Sequence, residues 1–339
     1  MNFKLIKKLP EVKSIIEYKD NYIYSDYLGL HCILKSNYEE VFSIINFFEA
    51  EFLKVYDEKY LIAKDTSLCN IKIFDLEQRK EIVSISNETD KEIDGRLRSF
   101  NITDNVLTIL LNKGLESLPS LPNDDEEDTQ APIITSEIRR YSLPDGKLIN
   151  KKIVDHDLSD LTYITPLKKY MCVDLASKIY SYDLDLNETL MDINYLNMEG
   201  IQYVQDQDII LIFTIFGLRI LDTNLIEINK VDLIEDIPAP SNDFFSKLKF
   251  RQPELFPDNQ TLLKEYLYGL HFLNKDTLLV VIGNTFASGF KFGLYEFKSG
   301  KPLLVNSTNN GSIHFFNKLN DKQIALGMNG SMHIMEIDK

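Results

Sequence analysis

The side chains of this 339-residue chain that could carry out a reaction are few and widely separated. Its five histidines, His31, His156, His271, His314 and His333, include no His-x-x-x-His or Glu-x-x-His pair of the kind that sets two ligands around one metal. His31, His271, His314 and His333 sit inside strand-like runs, where an imidazole more often packs in the core or on the surface than acts as a general base. No Gly-x-Ser-x-Gly elbow, phosphate loop or dinucleotide fingerprint occurs, so no cofactor or metal site is read. Carboxylates such as Asp65, Asp174 and Asp222 could serve a hydrolase or lyase only if the fold brought them together at one mouth. Cys32, Cys69 and Cys172 are odd in number and lie in apolar runs, which implies buried free thiols in a reducing compartment.

The elements that would position such residues repeat. The stretch from Tyr60 to Arg79, YLIAKDTSLCNIKIFDLEQR, reads as two short strands and a turn, and the same plan recurs along the chain. Its first strand begins near Tyr22, Tyr60, Val106, Tyr170, Ile209, Leu278 and Gln323, at intervals near 40 residues once two insertions are set aside. Each repeat supplies strand, polar turn, strand, connection, strand, turn and strand, which is one four-stranded blade. The expected fold is therefore all-β, a seven-bladed β-propeller, with residues 1–339 in a single domain. The seventh repeat lacks a fourth strand, whereas NFKLIKKL at Asn2 to Leu9 belongs to no other repeat. Pairing the two closes the ring and leaves no open seam.

Third strands end on an aromatic or aliphatic residue followed by an acid, as in Phe74-Asp75, Tyr182-Asp183 and Leu221-Asp222. In this the chain resembles the WD-repeat and bacterial YVTN-type propellers, which implies the shared architecture. It has no Trp-Asp and no Gly-His dipeptide, so the hydrogen-bond network of the WD-repeat family is not carried over.

Counting strands A to D outward from the axis, A–B and C–D turns share one face, while B–C loops and D–A links share the other. The A–B turns are tight and polar. Both insertions, at about 114–131 and about 234–264, fall on the B–C/D–A face. Long loops on a rigid scaffold commonly carry function, so this is the expected binding face. The first insertion holds an unbroken acidic run, Asp124, Asp125, Glu126, Glu127 and Asp128, readable as a solvated segment or as a dock for a basic partner. In the second, Phe244, Phe245, Phe250 and Phe256 either pack the loop onto the propeller or form an aromatic contact surface.

A net charge of -15 argues against nucleic acid and fits a basic protein partner, and it also keeps a protein soluble. The N-terminus lacks an apolar signal core and no run of about 18 apolar residues occurs, so a cytoplasmic chain without membrane association is expected. The leading expectation is a non-enzymatic protein-binding propeller, in its sharpest form a bacterial immunity protein that inhibits a basic toxin. The alternatives are a hydrolase or lyase working at the central channel mouth, and an assembly scaffold in a larger complex.

Overall fold

A computed structural model of the chain describes residues 2–45, 50–65, 71–85, 96–113, 135–174, 176–193, 195, 198–233, 265–284, 290–308 and 313–338. Strand β1 (Asn2–Pro10) comes first and belongs to the last blade. Blade I holds β2 (Ser14–Tyr18), β3 (Asn21–Ser25), β4 (Gly29–Leu34) and β5 (Glu40–Ile45), and blade II holds β6 (Ala50–Tyr56), β7 (Tyr60–Asp65), β8 (Ile71–Asp75) and β9 (Lys80–Ile85). Blade III comprises β10 (Arg96–Thr103), β11 (Val106–Lys113), β12 (Thr135–Ser142) and β13 (Leu148–Val154). Blade IV comprises β14 (Leu158–Ile164), β15 (Lys169–Asp174), β16 (Ile179–Tyr182) and β17 (Glu188–Leu190). In blade V follow β18 (Met198–Val204), β19 (Ile209–Thr214), β20 (Gly217–Leu221) and β21 (Glu227–Asp232), and in blade VI β22 (Glu265–Asn274), β23 (Thr277–Asn284), β24 (Phe290–Glu296) and β25 (Pro302–Ser307). Blade VII runs β26 (Ile313–Asn320), β27 (Gln323–Met328), β28 (Ser331–Asp338) and then β1, all antiparallel. The chain is a seven-bladed β-propeller.

The periodicity located the second strands to within one residue, because turn chemistry marks where each begins. In the A–B turns Lys19, Asp57, Glu58, Asp104 and Asn105 adopt positive φ, as two-residue hairpin turns demand. Blades IV and V instead turn through a short 3-10 segment ending on Lys168 or Asp208 with positive φ. Gly283 and Asn284 close β23 rather than forming a turn.

Among the described residues, seven clusters of buried apolar side chains hold the ring, each drawn from two neighbouring blades. Ile164, Met171 and Ile179 of blade IV, for example, pack with Met198, Ile210 and Leu221 of blade V. The seam obeys the same rule: Leu9 of β1 joins Ile334 and Met332 of blade VII and Ile15 and Tyr22 of blade I. Strand β1 pairs with β28 from Asn2 opposite Asp338 to Pro10 opposite Ser331. Closure by the N-terminal strand therefore removes both the open edge and the uncovered core. Cys32 and Cys172 are buried free thiols, as expected, and Cys69 lies outside the described residues. No helix among the described residues is long and apolar enough to cross a membrane.

Candidate functional site at the channel mouth

The two faces are built from different chemistry. On the A–B/C–D face the aspartates that end the third strands fold their own turns. Asp75 accepts N–H bonds from Glu77 and Gln78 at 2.9 and 2.8 Å, Asp183 from Asp185 and Asn187 at 2.9 and 2.8 Å, and Asp222 from Asn224 and Ile226 at 2.9 Å each. These bonds favour the ionised form, so all three carboxyls are held below their ordinary range: Asp75 chiefly by the Gln78 amide, Asp183 by the Asn187 side chain and Asp222 by the Ile226 amide. The acid after the aromatic is thus a turn builder. Asp222 lies on this face and Asp174 at the end of β15 on the other, so they do not converge as a catalytic pair. The side chain of Asp65 is not among those described.

On the B–C/D–A face the inner strands share a feature that alternation does not reveal. Six of them carry a bulge at the same level, leaving Glu51, Arg98, Ser159, Glu199, Tyr268 and His314 as the extra residue. A bulge adds one residue to one strand and re-aims its side chain. In blade I Lys13 takes the equivalent place just before β2, its amide bonded to the Ser25 carbonyl at 2.9 Å. Near this level adjacent blades are tied together: Ser14 and Ser25 donate to the Ala50 carbonyl at 3.0 and 2.5 Å, Ser136 accepts from the Leu158 amide at 2.9 Å and Ser177 from the Met198 amide at 3.1 Å. The mouth is consequently rigid where side chains project from it.

Three of these residues, Lys13, Tyr268 and His314, line a cavity of about 700 Å³ along the inner strands of blades VI, VII, I and II. Its walls add His271 from β22, Phe315, Phe316 and Asn317 from β26, Ile15 and Ile16 from β2, and Leu53 from β6. A shallower cleft of about 410 Å³ shares Lys13, His314 and Gly330 and extends to Glu11 and Tyr27. Because Lys13 lies in a D–A link and Gly330 in a B–C turn, the cavity opens on the insertion-bearing face.

The rings are held by specific packing. Tyr268 meets Phe290 edge-on, with centroids 5.2 Å apart at 84°, and lies 6.3 Å from Phe316. The Phe316 ring crosses β22 directly over Gly269, where a Cβ would stand 2.5 Å from its Cζ. His271 packs 4.8 Å from the same ring and donates from Nε2 to the Phe316 carbonyl at 3.3 Å. A Cβ on Gly327 would stand 2.7 Å from His314 Nε2. Burial lowers the pKa of both imidazoles, aided at His314 by the nearby Lys13 charge. Both favour the neutral form.

Beside the cleft, the blade I loop is stiffened from within. Asp26 Oδ1 accepts the amides of Leu28 and Gly29 at 2.7 and 3.1 Å and faces His31 Nε2 at 3.1 Å. Glu40 Oε2 faces His31 Nδ1 at 3.1 Å, and the imidazole stacks on Tyr24 at 4.9 Å. This frame holds Tyr27 and Leu28 outward, 50% and 48% exposed. Elsewhere on an inner strand, Asp160 of β14 sits half-buried against Gly200 of β18, and desolvation pushes its pKa up to about 7 against the opposing Ile201 amide. A Cβ on Gly200 would stand 2.4 Å from Asp160 Oδ2, so the glycine makes room for this carboxyl.

The residues singled out from sequence, Asp124, Asp125, Glu126, Glu127, Asp128, Phe244, Phe245, Phe250 and Phe256, lie outside the described residues. The described strands fix where their segments attach: 114–134 joins the end of β11 to the start of β12, and 234–264 follows β21 and returns into β22, the strand that carries Tyr268 and His271. No cluster of three or more His, Cys, Asp or Glu side chains suited to a metal occurs among the described residues.

No protein-family model matches the chain, and no curated protein matches it significantly. Solved structures do. KlHsv2 with its loop 6CD replaced by a Gly-Ser linker overlays with a TM-score of 0.57 at 8% identity, covering 95% of this chain and 90% of that one. Kluyvelomyces marxianus Hsv2 gives 0.56 at 7%, with the same 95% and 90% coverage. The computationally designed Ika8 protein gives 0.55 at 10%, covering 98% of each chain. The likeness is one of fold.

Proposed function

We propose that this propeller is a non-enzymatic binding protein that engages a protein partner through its B–C/D–A face. The observation that carries the reading is the contrast at that face: an open channel-mouth cavity beside two outward-held apolar side chains, Tyr27 and Leu28, at the level where both insertions attach. Large apolar and aromatic groups on a rigid frame are the usual energetic centre of an interface. The resemblance of the third strands to WD-repeat and YVTN-type propellers agrees with a binding role. The net charge of -15 favours a basic partner, and the sharpest version is a cytosolic immunity protein that caps a basic toxin. An assembly scaffold uses the same face together with others.

The test is affinity capture from the native source with the intact chain and with residues 234–264 replaced by a short Gly-Ser linker. One stoichiometric basic protein, retained by the intact chain and lost by a deletion variant of unchanged melting behaviour, supports the reading. Absence of any stoichiometric protein, or retention after deletion, overturns it.

A further inference from the structure

Size, fixed rings and a bias against charge together define what the cavity can hold. Ligand pockets commonly fall between about 300 and 1,000 Å³, mostly apolar with a few placed polar groups, and about 700 Å³ lies within that range. Here the apolar part is largely aromatic: Tyr268, 42% exposed and met edge-on by Phe290, stands near Phe316 at an interplanar angle of 52°. Glycine inside a strand weakens it and often marks a close approach. A Cβ on Gly269 would collide with Phe316 and one on Gly327 with His314, so strand stability is given up to seat both rings.

Charge of either sign is disfavoured in this space. No carboxylate occurs among the described lining residues, so nothing there draws a cation, and Glu11 stands in the adjoining cleft. Lys13 already has an interaction partner, so its ammonium is not left to recruit an anion. Burial lowers the pKa of both His271 and His314. The same desolvation would penalise a charge on a ligand that entered beside them.

One polar group of the wall is left unused. The Phe316 carbonyl can only accept, so His271 Nε2 carries the hydrogen of their 3.3 Å bond. In the neutral imidazole Nδ1 then holds a lone pair, and this acceptor has no partner among the described residues. A flat apolar body would lie against Tyr268 and Phe316, the ring on which His271 itself packs at 4.8 Å.

We infer that the channel-mouth cavity binds a small uncharged aromatic ligand carrying one O–H or N–H donor, such as a phenol or an indole, with Tyr268 and Phe316 contacting the ring and His271 Nδ1 accepting the hydrogen. The inference does not rest on a protein partner at this face.

Ligand-observed fluorine NMR on the full chain tests it, with 4-fluorophenol as probe, 4-fluoroanisole as the same ring without a donor, and 4-fluorobenzoate and 4-fluorobenzylamine as its charged counterparts. Saturable binding of 4-fluorophenol at neutral pH is expected, about tenfold tighter than either charged ring and about fivefold tighter than the anisole. Tyr268→Ala, at a half-exposed position, should weaken the phenol by about tenfold, while Leu190→Ala on the outer rim leaves it unchanged. His271→Phe, which keeps a ring and removes the acceptor, should abolish the preference for phenol over anisole. Circular dichroism melts confirm that each variant is folded, and the comparison of the four probes on the unaltered chain stands without any of them. No saturable binding of 4-fluorophenol, equal binding of either charged ring or of the anisole, or phenol affinity indifferent to Tyr268→Ala overturns the inference.

Discussion

Aspartate behaves in opposite ways in two regions of this propeller. On the turn face Asp75, Asp183 and Asp222 accept amide hydrogens from their own turns and are held ionised. On the inner wall Asp160 of β14 is half-buried against β18 and its pKa is pushed up to about 7. The turn face uses its polar groups locally, to finish hairpins. The mouth of the channel instead lines a cavity with rings, imidazoles and a lysine. One face spends its polar groups on the scaffold, and the other is the face proposed for recognition.

Breaking the scaffold side should give the largest effect on stability. Phe74, 1% exposed next to Asp75, packs in the blade I/II cluster. Phe74→Ala should cost about 3–5 kcal/mol, measured by urea unfolding, through lost burial and the cavity left behind. A loss well under 1 kcal/mol would mean that the interblade cluster does not hold the ring.

Asp160→Asn tests the inner wall and comes next. A folded pKa near about 7 lies above the unfolded value of about 3.9, so the stability contribution is full below the unfolded value and is lost as pH rises through the folded one. Between pH 5 and 8 the wild type should therefore lose on the order of 2–4 kcal/mol that the Asn variant keeps, since an amide oxygen can still accept the Ile201 N–H. Equal pH profiles for the two proteins would show that the carboxyl is solvated.

The turn-face carboxylates should show the reverse sign with a smaller amplitude. The folded pKa of Asp183 is depressed, so its contribution is present above the unfolded value and is lost as pH falls through the folded one. Asp183→Asn should lower the thermal midpoint at pH 7 and flatten the acid side of the profile below about pH 4. An unchanged acid limb would detach Asp183 from the turn.

How much of this could be read in the chain follows from what leaves a local mark. Tight turns at Asp57-Glu58 and Asp104-Asn105 need left-handed backbone, so their residue types announced the hairpins and their spacing announced seven blades. The clasp was legible because β1 had apolar residues and no partner of its own, while β28 lacked a neighbour. The cavity was not legible: it unites Lys13 and Leu53 with Tyr268 and His314, residues near opposite ends of the chain that only ring closure makes neighbours. Bulges are equally silent, because one extra residue in a strand such as EYLYGLHFLN leaves its hydrophobic pattern readable in either register. His271 and His314 were read as packed or surface imidazoles, and each does pack against a ring or a glycine, but in the cavity wall. Gly269 and Gly327, both within strands, were the signal that could have pointed there. Asp160 was missed because LSDLTYI alternates like any half-buried strand, and its burial depends on the neighbouring blade.

The central claim is that the two faces differ in function, and paired surface variants test it directly. Tyr27 and Leu28 on the cavity side are matched by Leu184 and Ile226, 41% and 60% exposed, on the C–D turns opposite. Both double alanine variants should melt like the wild type, because neither pair contributes to a core cluster. In affinity capture from the native source, Tyr27→Ala/Leu28→Ala should weaken retention of the stoichiometric partner by about tenfold or more, and Leu184→Ala/Ile226→Ala should leave it intact. Loss of the partner with the Leu184/Ile226 pair and retention with the Tyr27/Leu28 pair would contradict the assignment of the binding face.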